Sequence, residues 1–234
     1  MKRLLGLFLV FIGLSVVAYS QPKLEIFPPN EYNWGKVKST DNPLKATVKI
    51  YNRGNEELHI INVKPGCGCT TAPLDKKILP PGDSANLDIT LNITGYSDNV
   101  VKSIMIESTD PEKKSFYYYI KANVFRPIVV VPQYIPFNEL YYLQEASSKV
   151  MLKNNTDAPI KILDIKTNPE SLKINLKAND VLKPKSETPL EVKFTPTQIG
   201  VNSIRVSITT DNEESKTIDI NGWGSAVDPK QNKN

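Results

Sequence analysis

The sequence predicts an all-β protein: two tandem immunoglobulin-like antiparallel β-sandwich domains behind an N-terminal signal peptide. Three observations carry this. Apolar and polar residues alternate with period 2, and no long 3.6-residue rhythm competes. Eighteen prolines and 11 glycines fall mostly between the apolar runs, which favours many short strands over long helices. The chain also repeats itself once, at a period near 102 residues, which is the length of a whole domain and not of a solenoid unit.

The N-terminus reads as targeting and not as fold. Met1-Lys2-Arg3 is a short positive start, and Leu4 to Val17 is an uncharged apolar run. Ala18-Tyr19-Ser20 then offers small residues at the two positions a signal peptidase reads. Cleavage is expected before Gln21, which makes residues 1–20 the signal peptide. The apolar run is short against the roughly 20 residues of a spanning helix. No cysteine follows it to take a lipid, and no later stretch is apolar enough to span. The expected localisation is export, to the periplasm or the extracellular side of the outer membrane of a Gram-negative bacterium. Without Lys2 and Arg3 the formal charge falls from +4 to +2, and the lysines are scattered. That pattern argues against a nucleic-acid partner.

From Lys23 onward short runs alternate with turn signals. Leu24-Glu25-Ile26-Phe27 alternates and is broken by Pro28-Pro29-Asn30. Tyr32 to Val37 follows, with Trp34 and Val37 as core anchors around Gly35. Lys45 to Tyr51 puts Ala46, Val48 and Ile50 on one face, and Asn52-Arg53-Gly54-Asn55 is a turn. Leu58 to Val63 is a strand, Leu79 to Asp83 a turn, and Leu87, Ile89 and Leu91 alternate with Asp88 and Thr90. Val101 to Ile106 and Phe116 to Val124 complete this half. About seven strands in about 100 residues is the immunoglobulin-like count. The first domain is expected over 23–125, the second over 127–226, and a disordered tail over 227–234, with Arg126 and Pro127 between the domains.

The second half matches the first segment by segment. Trp34-Gly35-Lys36-Val37 aligns with Phe137-Asn138-Glu139-Leu140, and Val48 to Asn52 with Val150 to Asn154. His59 to Lys64 aligns with Lys161 to Lys166, and Leu87 to Leu91 with Leu190 to Phe194. Val101 to Ile104 aligns with Val201 to Ile204, and Thr109-Asp110 with Thr210-Asp211. The only two cysteines break the correspondence: Cys67-Gly68-Cys69 falls on Pro169-Glu170-Ser171. The scaffold is duplicated and the cysteines are not, so what they add belongs to the first domain.

Pro65-Gly66-Cys67-Gly68-Cys69-Thr70-Thr71 is therefore the candidate site, with Gly66 and Gly68 as the turn glycines supporting it. Three readings stand. Small thiols can pack inertly beneath a tight turn. In an oxidising compartment Cys67 and Cys69 can form a disulfide, which closes so small a ring that it suits a redox-labile group better than a staple. Two thiolates also suit a soft metal ion, but a tetrahedral site wants four ligands, and there is no second cysteine pair. His59 is the single histidine and reads as a strand residue satisfied by hydrogen bonds. No metal ligand set and no cofactor is therefore assigned. There is no phosphate loop or Gly-x-Ser-x-Gly elbow, and Glu56-Glu57 and Glu213-Glu214 read as solvated turn acids. No catalytic residue is assigned. The aromatic run Phe116 to Ile120 and the cluster Tyr134, Phe137, Tyr141 and Tyr142 read as strand aromatics, with a binding face as the alternative.

The stretch from Asn52 and Gly54 through Leu58 to Val63, Gly66-Cys67-Gly68-Cys69-Thr70, Ile78 to Gly82 and Val101 to Ser108 resembles the bacterial domain of unknown function 1573. The resemblance covers roughly Trp34 to Val124 and implies an exported immunoglobulin-like sandwich; the family brings no established activity. The expected role is a non-enzymatic structural or protein-binding module of the bacterial cell envelope, with a protein or envelope partner. Two alternatives accompany it. The first is a periplasmic assembly chaperone, which the two-domain layout resembles and which would use Phe116 to Val124 as an edge strand for strand addition. The second is redox or metal handling through Cys67 and Cys69.

Overall fold

Period-2 alternation becomes strand almost everywhere. The structure, a computed structural model, describes residues 20–137 and 139–229. The expected signal peptide lies outside them apart from Ser20, as do the last five residues of the expected tail. Among the described residues no helix is long and apolar enough to cross a membrane.

The first nine strands are β1 (Leu24–Phe27), β2 (Glu31–Lys38), β3 (Leu44–Asn52), β4 (Leu58–Pro65), β5 (Thr70–Thr71), β6 (Ile78–Leu79), β7 (Ser84–Leu91), β8 (Asp98–Ser108) and β9 (Ser115–Phe125). They form two sheets, ordered β1-β3-β7-β5 and β2-β9-β8-β4-β6. The remaining strands are β10 (Ile128–Val131), β11 (Ile135–Pro136), β12 (Leu140–Tyr141), β13 (Ala146–Asn154), β14 (Ile160–Asn168), β15 (Lys173–Ile174), β16 (Val181–Leu182), β17 (Ser186–Phe194), β18 (Gly200–Thr210) and β19 (Thr217–Val227). Their sheets run β10-β13-β17-β15 and β11-β19-β18-β14-β16, with β12 also on β19. Pairing is antiparallel except where β2 joins β9 and where β11 and β12 join β19. β19 keeps Val227 in a strand, one residue into the expected tail.

One hydrophobic cluster is drawn from Leu24 to Val124 and a second from Ile128 to Ala226. Val48 and Ile50 are fully buried on the inner face of β3, as their alternation predicts. Each such side chain contributes about 1.5–3 kcal/mol by leaving water. Trp34 and Val37 are only partly buried and pack at the margin of the first cluster. The cause is local: the β2–β9 register shifts between Asn33 and Lys36, and Gly35 there takes φ +71°. A positive φ of this kind favours glycine.

The two halves share buried polar anchors. Asn52 and Asn154 are wholly buried at the ends of β3 and β13. Asn52 Nδ2 donates to the carbonyls of Glu56 (2.6 Å) and Leu79 (2.8 Å). Asn154 Nδ2 donates to those of Ala158 (2.9 Å) and Leu182 (3.0 Å). The hydrogen bonds also correct two of the alignments. His59 N donates to Thr109 Oγ1, and Lys161 N donates to Asp211 Oδ1. Thr109 therefore corresponds to Asp211, and Asp110 does not. Ser108 N bonds Lys114 O as Thr210 N bonds Lys216 O. Counting back along β8 and β18 from these hairpins places Ile104 opposite Tyr118 where Val206 lies opposite Ile220. The sequence match of Val101–Ile104 to Val201–Ile204 is thus displaced by two residues. A shift of two preserves inward and outward faces, so alternation alone does not reveal it.

The strand needed by the chaperone alternative is not an edge. β9 lies between β8 and β2, and the Lys121–Glu31 ion pair bridges β9 and β2 at 2.5 Å. From Tyr119 onward β9 is therefore flanked on both sides, so Phe116 to Val124 does not present the open edge that strand addition through it would use.

Candidate functional site

β4 delivers the cysteine turn. Beyond Pro65, Gly66 N donates to Ser103 O of β8 at 2.8 Å. A Cβ on Gly66 would stand 3.0 Å from Ser103 Oγ and 3.2 Å from Ser103 O, so glycine permits this close approach. Gly68 differs: a Cβ there meets nothing within 4 Å, and its φ is not positive. Of the two expected supporting glycines, only Gly66 has a steric reason.

Cys67 and Cys69 are joined by a disulfide, with S–S 2.07 Å and Cα–Cα 5.2 Å. The turn is also held by its backbone, since Thr70 N donates to Cys67 O at 3.3 Å and Asn92 N to Cys69 O at 2.8 Å. Both cysteines are partly buried, and Cys69 packs against the first core. The Thr70 side chain is buried behind them. Its Oγ1 lies 3.4 Å from Cys67 Sγ and 3.8 Å from Cys69 Sγ. An open depression beside Cys69 is lined by Asn92, Thr94, Gly95, Tyr96 and Gln133. Gln133, from beyond β10, donates to Gly95 O at 2.6 Å.

The other singled-out residues do not converge on this turn. His59 Nε2 lies 2.6 Å from Glu57 Oε1 on an exposed surface. Among the described residues no three of His, Cys, Asp and Glu gather into a metal-binding group. Glu214 pairs with Lys38 at 2.6 Å, and that hydrogen bond raises the lysine above its ordinary value. Tyr134 stacks on Trp223 with centroids 5.2 Å apart, whereas Phe137 packs on Phe194 at 6.0 Å. That aromatic cluster is therefore divided between surface and core. Arg126, between β9 and β10, donates to the carbonyls of Tyr96 (2.6 Å) and Ile93 (2.9 Å), and burial lowers its guanidinium below the usual value.

The run Phe116 to Ile120 separates into two faces. Tyr118 is wholly buried, its hydroxyl donating to Pro28 O at 3.0 Å, and burial raises its phenol far above the ordinary range. Tyr117 and Tyr119 point outward and are 58% and 44% exposed. Opposite them on β8 lie Met105 and Ser103, and Val101 and Phe125 are exposed on the same outer face. Because Gly66 bonds Ser103, the cysteine turn borders this face. Sequence reasoning missed Thr70 as a partner of the sulfurs and the extent of the outer face. The odd-numbered alternation of β8 and β9 was the available signal for the latter.

Fold and site together define an all-β, immunoglobulin-like sandwich protein carrying a Cys-Gly-Cys turn on one of its two sheet pairs. Residues 26–124 match the family described as "Protein of unknown function (DUF1573)". No curated protein matches the chain. Among solved structures, the chain is similar to a protein of unknown function from Porphyromonas gingivalis W83, at 12% identity and TM-score 0.37, covering 86% of this chain and 99% of that one. It is also similar to the E. coli chaperone DraB, at 10% identity and TM-score 0.32, covering 88% of this chain and 97% of that one.

Proposed function

We propose that the protein is an exported, non-enzymatic module of the bacterial cell envelope, built of two sandwich domains over 23–125 and 127–226, that binds a protein partner. The partner is taken on the outer face of β8 and β9. One observation carries this reading: Val101, Tyr117, Tyr119 and Phe125 stand 42–58% exposed on adjoining strands of one sheet. Several large exposed apolar and aromatic side chains on one sheet face favour an interaction site, and tyrosine is enriched where proteins meet. The N-terminal charge, apolar run and small-residue site support export.

The test is photo-crosslinking in the intact cell, with a photoreactive residue at Tyr119, at Val101 or at Lys49, an exposed position on β3 of the other sheet. The expected result is one discrete adduct from 119 and 101, none from 49, and loss of the 101 adduct when Tyr117 and Tyr119 are both serine. Equal adducts from all three positions would overturn the assignment of the face. Retention of an unprocessed chain in the cytoplasm would overturn export.

A further inference from the structure

We propose that the Cys67–Cys69 disulfide is a thiol–disulfide exchange site that accepts two electrons from an external dithiol. Cys69 Sγ is the sulfur attacked, and Cys67 Sγ is the leaving thiolate, held by the Thr70 hydroxyl. This goes beyond partner binding on the outer face and does not depend on it.

The turn does not need the bond. In the second half, Leu172 N donates to Pro169 O at 3.1 Å, as Thr70 N does to Cys67 O at 3.3 Å. Leu172 and Thr70 are each 5% exposed. The same backbone turn therefore forms over Pro169-Glu170-Ser171 without a sulfur. A disulfide spanning three residues also restricts the unfolded chain very little. The pair is thus an addition to a turn that already stands.

What distinguishes the cysteine-bearing copy is Thr70. At the matching position the second half has a buried leucine, whereas here a buried hydroxyl faces both sulfurs. A hydroxyl gains little from a neutral disulfide sulfur, but a hydrogen bond to a thiolate is charge-assisted and stronger. Thr70 Oγ1 is nearer to Cys67 Sγ, so it favours charge on that sulfur. Cys69, and not Cys67, lines the open depression beside Asn92, Thr94 and Gly95, so the approach of the dithiol is assigned to that side.

The steps balance. One thiolate of the dithiol attacks Cys69 Sγ; a mixed disulfide forms, the Cys67–Cys69 bond breaks, and its electron pair leaves on Cys67 Sγ. The second thiolate of the dithiol then attacks its own partner's sulfur in the mixed disulfide and releases Cys69 as thiolate. The dithiol leaves oxidised to a disulfide, and the two protons it gave up neutralise Cys67 and Cys69. Stabilising the leaving thiolate speeds the first step.

The full mature protein is treated with reduced glutathione at neutral pH, quenched with acid, alkylated and mapped by peptide mass. The expected product carries glutathione on Cys69 and alkyl on Cys67; the reverse placement would overturn the direction of attack. With dithiothreitol as the dithiol, the folded protein is expected to be reduced, and Thr70→Val to slow the reaction by roughly tenfold, as for loss of a hydrogen bond to a charged group. Thr70→Ser is expected to restore the rate. In the reduced protein, the pH midpoint for Cys67 alkylation is expected to rise in Thr70→Val and not in Thr70→Ser. Reduction seen only after unfolding, or equal rates and midpoints in the valine and serine variants, would sink the proposal. Should the valine variant not fold, glutathione placement on the unmodified protein still decides.

Discussion

Replacing Cys67 and Cys69 together by serine is expected to leave the protein folded at a modest cost in stability. The magnitude follows from the ring. Only three residues are closed, and the chain-entropy relation for a loop of that size gives about 1.6 kcal/mol at 25 °C. The bonds from Thr70 N to Cys67 O and from Asn92 N to Cys69 O do not involve the sulfurs and survive the change. For a domain of this size that stability corresponds to a fall in Tm of roughly ten degrees. The assay is urea denaturation of wild type, double-serine variant and dithiothreitol-treated wild type, followed by tyrosine and tryptophan fluorescence. The variant and the reduced wild type are expected to coincide, with unchanged slope. A loss above about 3 kcal/mol, outside the range the short loop can supply, or a variant that does not fold, would refute the reasoning and make the disulfide a structural staple.

The buried asparagines are expected to matter more. Asn52→Ala removes both donors to Glu56 O and Leu79 O and the acceptor for Gly54 N, and is expected to destabilise the first half by about 3 kcal/mol in the same urea assay. Gly222→Ala places a Cβ 2.8 Å from Ile135 O, a backbone atom, so β11 must shift; a loss of about 1–3 kcal/mol is expected in thermal unfolding. Tyr118 makes a distinct pH prediction. Its phenol stays protonated in the folded chain well above the ordinary value of 10.0, so its contribution is complete below that pH and is lost as pH rises. Stability measured from pH 9 to 11 is expected to fall in wild type, and Tyr118→Phe to lower the neutral-pH value by about 1 kcal/mol while flattening the alkaline slope.

Local pattern carried most of the fold. Strands with one buried face announce themselves because a one-residue slip would expose every apolar side chain, so β3, β7, β8 and β9 could be placed from alternation alone. The match of Asn52 to Asn154 was also written in the chain, as was the placing of both cysteines in its first half. Pairing between strands was not. Whether Phe116 to Val124 was an edge depended on where Glu31 to Lys38 docked, and that parallel contact joins residues 87 or 88 positions apart. The role of Asn52 was equally hidden, because Leu79 O, the more distant of its two carbonyl partners, meets it only when β6 closes over the end of β3. Thr70 illustrates the same limit at the site. Its neighbour Cys69 is given by the chain, but the approach of its hydroxyl to Cys67 Sγ requires the turn to fold back, and the burial of that hydroxyl requires the core beneath it. Periodicity determined which face each side chain takes; only packing in three dimensions decided what waits on that face.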